Sequence, residues 1–421
     1  MRQRPLTRLS VVPGAIGALA VADALRDALA GSGPAIAPIP VGPAQYVDRI
    51  AAAIRPDDPQ SPLESDEVAV VLATSGSVGQ PRGVLLSGEA LLAAARSTAA
   101  YLGAPARWLL ALPVHHIGGL QVLVRSHLAG LPPIPLDSIG GGGPFIAAEF
   151  ANASRAARAI ADIDGSALRT ALVPTQLARI LDSGPAGVAA LRSFDTVLVG
   201  GAAVPPTLLS RCDDLRIALI ATYGMTETCG GCVYDGQPLR DVGIRICGVD
   251  ARGHGRIELT GPQLAFGYRL RPELTAQHFC DGAYLTSDRG YLTDGGLFVT
   301  GRDDDLVQVG GEGVSVSAVE AAIQTCAQVA AAAVVALPCD ELGARLVAFV
   351  VEEKAVADSG AGSDSGRDAR PLPVALTATV VELLGAAARP REVRIVRDLP
   401  ELPNGKLDRV ALLALASRLG E

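Results

Sequence analysis

A valine-rich run at 68–73 passes without a break into LATSGSVGQPRG at 72–83, and this junction constrains the chain more than any other segment. A strand that ends in a loop of small residues lets backbone N–H groups converge on an anion. Gly76, Gly79 and Gly83 permit close approach of the backbone, Thr74, Ser75 and Ser77 add hydroxyl donors, and Arg82 adds charge. Such a loop suits triphosphate oxygens. It is not a Walker A loop, because Gly-Gln-Pro-Arg-Gly stands where that motif needs Gly-Lys-Ser/Thr. Taken alone, an ordinary Gly/Ser surface turn fits the segment equally well.

Further apolar runs at 108–112, 195–199, 216–221 and 256–259 alternate with Ala/Leu-rich helical stretches such as 88–101 and 186–193, which predicts an α/β fold. With 421 residues, 49% hydrophobic and 19% charged, the chain can build two or three cores of ordinary domain size. Only 4% of residues are aromatic, so Ala and Val must fill most of that core. The net charge of −8, without a basic stripe beside aromatic residues, argues against a nucleic-acid partner. Gly140 to Gly143 followed by Pro144 mark a loop, and 355–371, rich in Ser, Gly and Asp, reads as a flexible insertion.

Arg2, Arg4 and Arg8 precede an apolar stretch, as they would in a signal peptide, but Asp23, Arg26 and Asp27 interrupt it and mark one face of a short helix. No run approaches the ~20 apolar residues that span a bilayer. The expectation is a cytoplasmic chain without membrane insertion. Seven scattered cysteines agree with reduced thiols. Cys229 and Cys232 form a CxxC, yet no second CxxC or HxxxH accompanies it, so packing in a pocket wall or core is expected ahead of metal or redox chemistry.

Beyond the loop come HHIGG at 115–119, VGGAAVPP at 199–206, TYGMTET at 222–228, YLTSDRGYL at 284–292, GRDDDLVQVGGEGV at 301–314 and LPNGKLDR at 402–409. In this order and spacing the motifs resemble the acyl-adenylate-forming superfamily of acyl-CoA synthetases, luciferases and nonribosomal peptide adenylation domains. The resemblance covers the chain from about residue 68 to its end. It implies a large layered α/β amino-terminal domain, a small mobile α+β carboxy-terminal domain, and two half-reactions: a carboxylate attacks ATP to give acyl-AMP, then a thiol displaces AMP. Within the superfamily, TYGMTETCGGCVYDGQPL and LPVHHIGGLQVLVRSHLAG are similar to actinobacterial o-succinylbenzoate-CoA ligases of menaquinone biosynthesis. The cofactors and co-substrate implied are ATP, Mg²⁺ and CoA. The domains are expected at 1–303 and 304–421, because Ser317 and Glu320 read as a capping box that opens a new helix just after GRDDD. Family members usually carry well over a hundred residues before the phosphate loop, so this amino terminus is shortened, and a homodimer is expected to cover the apolar surface left over.

Attack on the α-phosphorus develops negative charge that cations and fixed donors must stabilise. Lys406, in the turn Pro403-Asn404-Gly405, matches the family's catalytic lysine. By resemblance Glu227 coordinates Mg²⁺ with Thr226 beside it, after an apolar strand whose carboxyl end suits ligand binding. Tyr223 is implied against the adenine face, Gly201 and Ala202 along the adenine slot, Asp288 on the ribose hydroxyls and Arg302 at the ribose or phosphate edge. Asp304 is implied as the hinge, and the Gly310 to Gly313 turn, Gly310 and Gly311 above all, as part of the CoA path. His116, Arg125, Gly224 and Tyr234 are the candidates for the acid pocket. Arg125 lies about two and a half helical turns beyond His116, where a cation would attract the second carboxylate of a diacid; a buried structural ion pair is the alternative. Tyr234 and Asp235 are the candidates to close that pocket.

Two departures concern the phosphate loop, where the family usually has threonine at Val78 and lysine at Arg82. Val78 removes a donor worth ~1 to 3 kcal/mol if a charged acceptor is left unsatisfied. Ser287 replaces the family's common Gly before Asp288. Three functions therefore stand: an o-succinylbenzoate-CoA ligase, a ligase or carrier-loading adenylating enzyme for another acid, and a degenerate paralogue that only binds nucleotide.

Overall fold

The computed structural model describes residues 4–75, 81–140, 145–251, 253–353, 371–401 and 407–418. The valine-rich run forms Val68–Ser75 and the chain returns antiparallel as Pro81–Ser87, with Thr74 opposite Arg82 and Ser75 opposite Pro81. The segment 76–80 therefore connects two strands of a hairpin rather than a strand and a helix. Val68, Ala69, Val70, Val71 and Leu72 are all fully buried, which explains a continuous apolar run in place of alternation. One face meets helix Gly14–Leu29, which buries Ala18, Val21, Leu25 and Ala28 at helical spacing; Ile50 and Ile54 of helix Ala44–Ile54 belong to a second cluster with Val68 and Val71. Leu6–Val11, Ala35–Pro40 and Val68–Ser75 run parallel, and Gly267–Tyr268 closes this five-stranded sheet beside Pro81–Ser87.

Arg269 fastens the sheet to the segment before it. Its guanidinium is fully buried and donates to Ile54 O at 3.0 Å, Pro62 O at 2.6 Å, Ser61 O, and Glu64 Oε2 at 2.9 Å. A charge this deep is tolerated because each of the three guanidinium nitrogens donates and one of the acceptors is a carboxylate.

A second sheet of seven strands carries the parallel series Ile134–Pro135, Ala106–Leu110, Ala167–Leu172, Thr196–Gly200 and Leu219–Met225. Gly230–Tyr234 and Gln237–Pro238 extend it antiparallel. The run expected at 216–221 starts later, because Arg216 turns left-handed (φ 53°) and Ile217 N still bonds to Cys212 O of the preceding helix. A third sheet contains Gly243–Cys247, Gly255–Thr260 and Ala283–Thr293, the last also pairing with Gly296–Arg302.

From Leu306 onward the chain builds a separate core of Val309, Val319, Ile323, Val334, Leu346, Val350 and Leu376. Its sheet comprises Glu312–Ser315, Leu306–Val309, Gly343–Glu352, Val329–Cys339 and Glu392–Ile395. Gly310 and Gly311 have φ of 61° and 86° and form the two-residue turn of its first hairpin, a conformation open mainly to glycine. The expected capping box is corrected here: helix Val316–Gln324 is capped by Ser315, whose Oγ accepts from Ala318 N at 3.2 Å. It starts early because Val316 is drawn into the core, and Glu320 instead accepts from Val334 N at 2.8 Å and pairs with Arg409 at 2.9 Å. The architecture is the predicted α/β one, a large layered amino-terminal part followed by a smaller α+β part. Among the described residues no helix is long and apolar enough to cross a membrane.

Candidate active site

The parallel strands of the second sheet share a direction, so their carboxyl ends open on one side and leave a cleft there. Leu172 and Val173, Gly200 and Gly201, Thr222 and Gly224 line it from successive strands, and Gly230, Gly231 and Tyr234 from the antiparallel one. Helix Ile117–Ala129 forms the opposite wall with Gly118, Gly119, Gln121 and Arg125, and His116 is its N-cap. The sequence candidates His116, Arg125, Gly201, Gly224 and Tyr234 thus meet around one space. Gly224 is obligatory: a Cβ there would lie 2.1 Å from Gly230 O of the neighbouring strand. Asp235 does not line the cleft; its Oδ1 accepts from Ala221 N at 2.8 Å and its left-handed backbone (φ 46°) starts a turn.

Arg125 is 8% exposed. Its Nη2 donates to Thr98 Oγ1 and to the Tyr234 hydroxyl, each at 3.3 Å, and the guanidinium lies 5.1 Å from the centre of the Trp108 ring. Thr98 passes its own proton to Ala94 O at 3.0 Å, so Tyr234 donates to Thr98 across the 3.0 Å between them. Arg125 Nε has no protein partner, and among the described residues the partners of this guanidinium are the neutral Thr98, Tyr234 and Trp108. A desolvated cation held only by neutral groups favours an anion beside it. One turn earlier on the same helix face, Gln121 is 1% exposed; its Nε2 donates to Leu91 O at 3.2 Å and its Oε1 has no protein partner. At the entry, the His115 and His116 rings are 4.4 Å apart, and burial pushes the His115 pKa down to about 4.

A second group lies at the junction with the third sheet. Tyr223 donates its hydroxyl to Asp288 Oδ2 at 2.8 Å, and Arg302 Nη1 is 3.3 Å from Asp288 Oδ1. Burial, then the adjacent carboxylate, holds the Tyr223 pKa well above its ordinary value, so the phenol stays protonated as the donor. Asp288 is fixed from its own strand as well, its N–H bonded to Thr286 Oγ1 at 2.9 Å. Gly201, with φ 81°, and the exposed Ala202 follow strand Thr196–Gly200.

A third group surrounds Glu227. It sits in a single 3-10 turn, Thr226–Thr228, directly after Leu219–Met225, so the carboxylate is at a strand's carboxyl end as expected. Glu227 is buried, its Oε1 accepts from the Tyr268 hydroxyl at 3.0 Å, and that hydroxyl is 3.3 Å from Tyr284 OH. Arg82 approaches the Tyr268 ring, 6.0 Å from its centre, and links the hairpin to this carboxylate. Burial raises the Glu227 pKa, so the charged form calls for a cation. Among the described residues no cluster of three or more His, Cys, Asp or Glu exists that would cage a metal. A single carboxylate fits Mg²⁺, which takes most of its ligands from water and phosphate.

Cys229 and Cys232 are buried, and burial pushes both thiols up, Cys232 to about 12, which agrees with the packing role expected for them. Gly76, Ser77, Val78, Gly79 and Lys406, with residues 355–370 of the insertion, lie outside the described residues, as do the side chains of Ser75 and Asp304. Sequence reasoning missed Gln121, Trp108, Thr98 and Tyr268. Only Gln121 left a trace, four residues before Arg125 on the same helical face.

A buried carboxylate at the open strand ends of a parallel sheet, with Arg82 of the neighbouring hairpin close to its tyrosine partner, is an arrangement suited to an enzyme that binds a nucleotide. The chain belongs to the AMP-binding enzyme family: the family's sequence model matches residues 22–268, and that of the AMP-binding enzyme C-terminal domain matches 318–406. It is 38% identical over 410 residues to a probable 2-succinylbenzoate–CoA ligase of Mycobacterium tuberculosis, covering 96% of each chain. It is 30% identical over 371 residues to a 2-succinylbenzoate–CoA ligase of Enterococcus faecalis, covering 83% of this chain and 70% of that one. Its fold matches that of o-succinylbenzoate CoA synthetase from Bacillus subtilis in complex with its acyl-adenylate intermediate, with a TM-score of 0.70 at 24% identity over 98% of this chain and 88% of that one.

Proposed function

We propose that this enzyme is an o-succinylbenzoate-CoA ligase of menaquinone biosynthesis, dependent on ATP and Mg²⁺. The observation that carries the choice of acid is Arg125, a buried cation at the cleft wall whose partners among the described residues are neutral. o-Succinylbenzoate brings two carboxylates, one to be activated and one to be recognised. Arg125 takes the second, with Tyr234 and Thr98 holding the guanidinium in place. The 38% identity to the mycobacterial enzyme over nearly the whole of both chains supports the same acid.

In the first half-reaction the free carboxylate attacks the α-phosphorus of ATP. Thr74, Ser75, Gly76, Ser77, Gly79 and Arg82 bind the phosphates, while Lys406 contacts the attacking carboxylate and the α-phosphate. Glu227, with Thr226 beside it, would hold Mg²⁺, which when bound neutralises phosphate charge. Tyr223, Gly201, Ala202 and Gly224 flank the adenine, Asp288 accepts from the ribose hydroxyls, and Arg302 holds the ribose edge. His116 guards the acid pocket beside the reacting carbonyl. In the second half-reaction the 304–421 domain turns about Asp304 against the 1–303 core, and CoA enters past Gly310 and Gly311 to displace AMP. The enzyme works in the cytoplasm as a homodimer. Seven free cysteines support the first, and the apolar side chains Val12, Ile16 and Leu19, exposed by 43%, 79% and 44%, support the second.

Pyrophosphate release and CoA-ester formation are measured with ATP, Mg²⁺, CoA and o-succinylbenzoate, beside benzoate and medium-chain fatty acids. Turnover is expected with o-succinylbenzoate and abolition by Lys406→Ala. Turnover only on another acid discards the substrate assignment, and silence on all of them favours a nucleotide-binding paralogue. Sedimentation as a monomer at micromolar concentration removes the homodimer.

A further inference from the structure

We infer that the ion pair between Arg179 and Glu401 holds the carboxy-terminal domain against the core in the arrangement that serves adenylation. Arg179 lies on helix Pro174–Asp182, which continues directly from Leu172 and Val173 in the cleft wall. Its Nη2 reaches Glu401 Oε2 at 2.7 Å, bridging 222 residues of sequence. Glu401 and Leu407 flank 402–406 and form an antiparallel bridge, and Asp408 N donates to Pro400 O at 2.9 Å. The base of the segment that contains Lys406 is thus clasped, and one carboxylate ties the clasp to the helix leading out of the cleft.

The inference rests on the two-step reading above, in which the domain carrying Lys406 serves the first step and turns away for the second. Turning about Asp304 carries Glu401 with it and breaks the pair. Arg179 is 40% exposed and Glu401 22%, so the pair is partly solvated and moves a two-state balance by about twofold to fivefold. That scale suits a contact that must form and break in every turnover. Neither side chain lines the cleft, so both are positioning residues and not catalytic ones.

Arg179→Gln and Glu401→Gln are compared with the charge-swapped pair Arg179→Glu, Glu401→Arg. ATP–pyrophosphate exchange reads the first step, and conversion of supplied acyl-AMP and CoA to thioester reads the second. Each single variant is expected to lower exchange about threefold and to leave the second step equal or faster. The swapped pair is expected to recover exchange, and added salt to narrow the gap between wild type and single variants. Unchanged exchange, equal loss in both steps, or no recovery in the swap overturns the inference. If the wild type accepts a different acid, the same comparison is made with that acid. Should no acid support exchange, the two-step reading fails, and small-angle scattering of the free proteins decides the pair's role: a shifted distance distribution in the single variants upholds the domain contact, and superimposable profiles defeat it.

Discussion

The guanidinium of Arg125 lies 5.1 Å from the ring centre of Trp108 while its Nη2 donates to Tyr234, so the charge is fixed from its face and from its edge. A cation immobilised this way loses little entropy when an anion arrives. Arg125→Met is expected to cut kcat/KM for o-succinylbenzoate by about 2 to 4 kcal/mol, roughly 30- to 1000-fold, by removing one partner of a buried charge pair. Benzoate, with one carboxylate, is expected to lose far less. Steady-state kinetics with both acids decides it: equal losses would make Arg125 a shaper of the cleft and not a reader of charge.

Tyr223 and Asp288 are joined by a 2.8 Å hydrogen bond that aims the carboxylate. Tyr223→Phe removes that bond, a cost of ~1 to 3 kcal/mol for a charged acceptor, and is expected to raise the KM for ATP about tenfold with a smaller change for the acid. A titration of exchange rate against ATP at saturating acid is the check, and an unchanged KM for ATP would separate this pair from nucleotide binding.

His115 should make the fold sensitive to acid. Its folded-state pKa, about 4, lies below the ordinary 6.5, so between these values the unfolded chain binds the additional proton. Stability is complete above about pH 6.5 and is lost as pH falls toward 4, by as much as ~3 kcal/mol in all. His115→Phe is expected to flatten that part of the curve. Urea unfolding at pH 7.5 and pH 5 measures it; parallel losses in wild type and variant would assign the acid sensitivity to other groups.

Asp304→Pro fixes φ in the one-turn helix Asp303–Asp305. The expected result is retained pyrophosphate release and lost thioester formation. Equal loss of both steps in single-turnover measurements would remove Asp304 as the pivot.

Arg269→Met strands Glu64 and three carbonyl oxygens that the guanidinium now satisfies. Breaking a buried pair of this kind costs ~3 to 5 kcal/mol, which chemical denaturation would report as a lower midpoint. A midpoint within error of wild type would mean that the 54–64 segment is held by its apolar contacts alone.

The parts of the fold that announce themselves in sequence are those in which one local rule suffices. Val68 to Leu72 are fully buried and read as strand from composition alone, while Gly310 and Gly311 mark a turn through their positive φ. Glu227 at a strand end was legible because an apolar run precedes it. Helix starts were less so: Ser317 and Glu320 have the spacing of a cap, but the burial of Val316 moved the start and gave the role to Ser315. Long-range polar contacts left no mark. Arg269 meets Glu64 across 205 residues, and Tyr268 reaches Glu227 across 41, and no periodicity encodes either encounter. Trp108 and Thr98 join Arg125 from a strand and a helix that only the sheet order brings together.

Gly224 sets the terms on which this cleft can change its preference. Enzymes commonly adapt to a smaller substrate by growing a side chain into the pocket, and at Gly224 that route is closed, because even a methyl group would collide with Gly230 O at 2.1 Å. On the opposite wall Gly119 is held in the same way, a Cβ there lying 2.3 Å from Pro113 O, but Gln121 and Arg125 project from the helix and can be exchanged without parting two strands. Relatives that have drifted to other acids should therefore differ at positions 121 and 125 while keeping glycine at 224. Laboratory evolution toward a new acid would gain most by randomising positions 121 and 125 and leaving Gly119 and Gly224 alone.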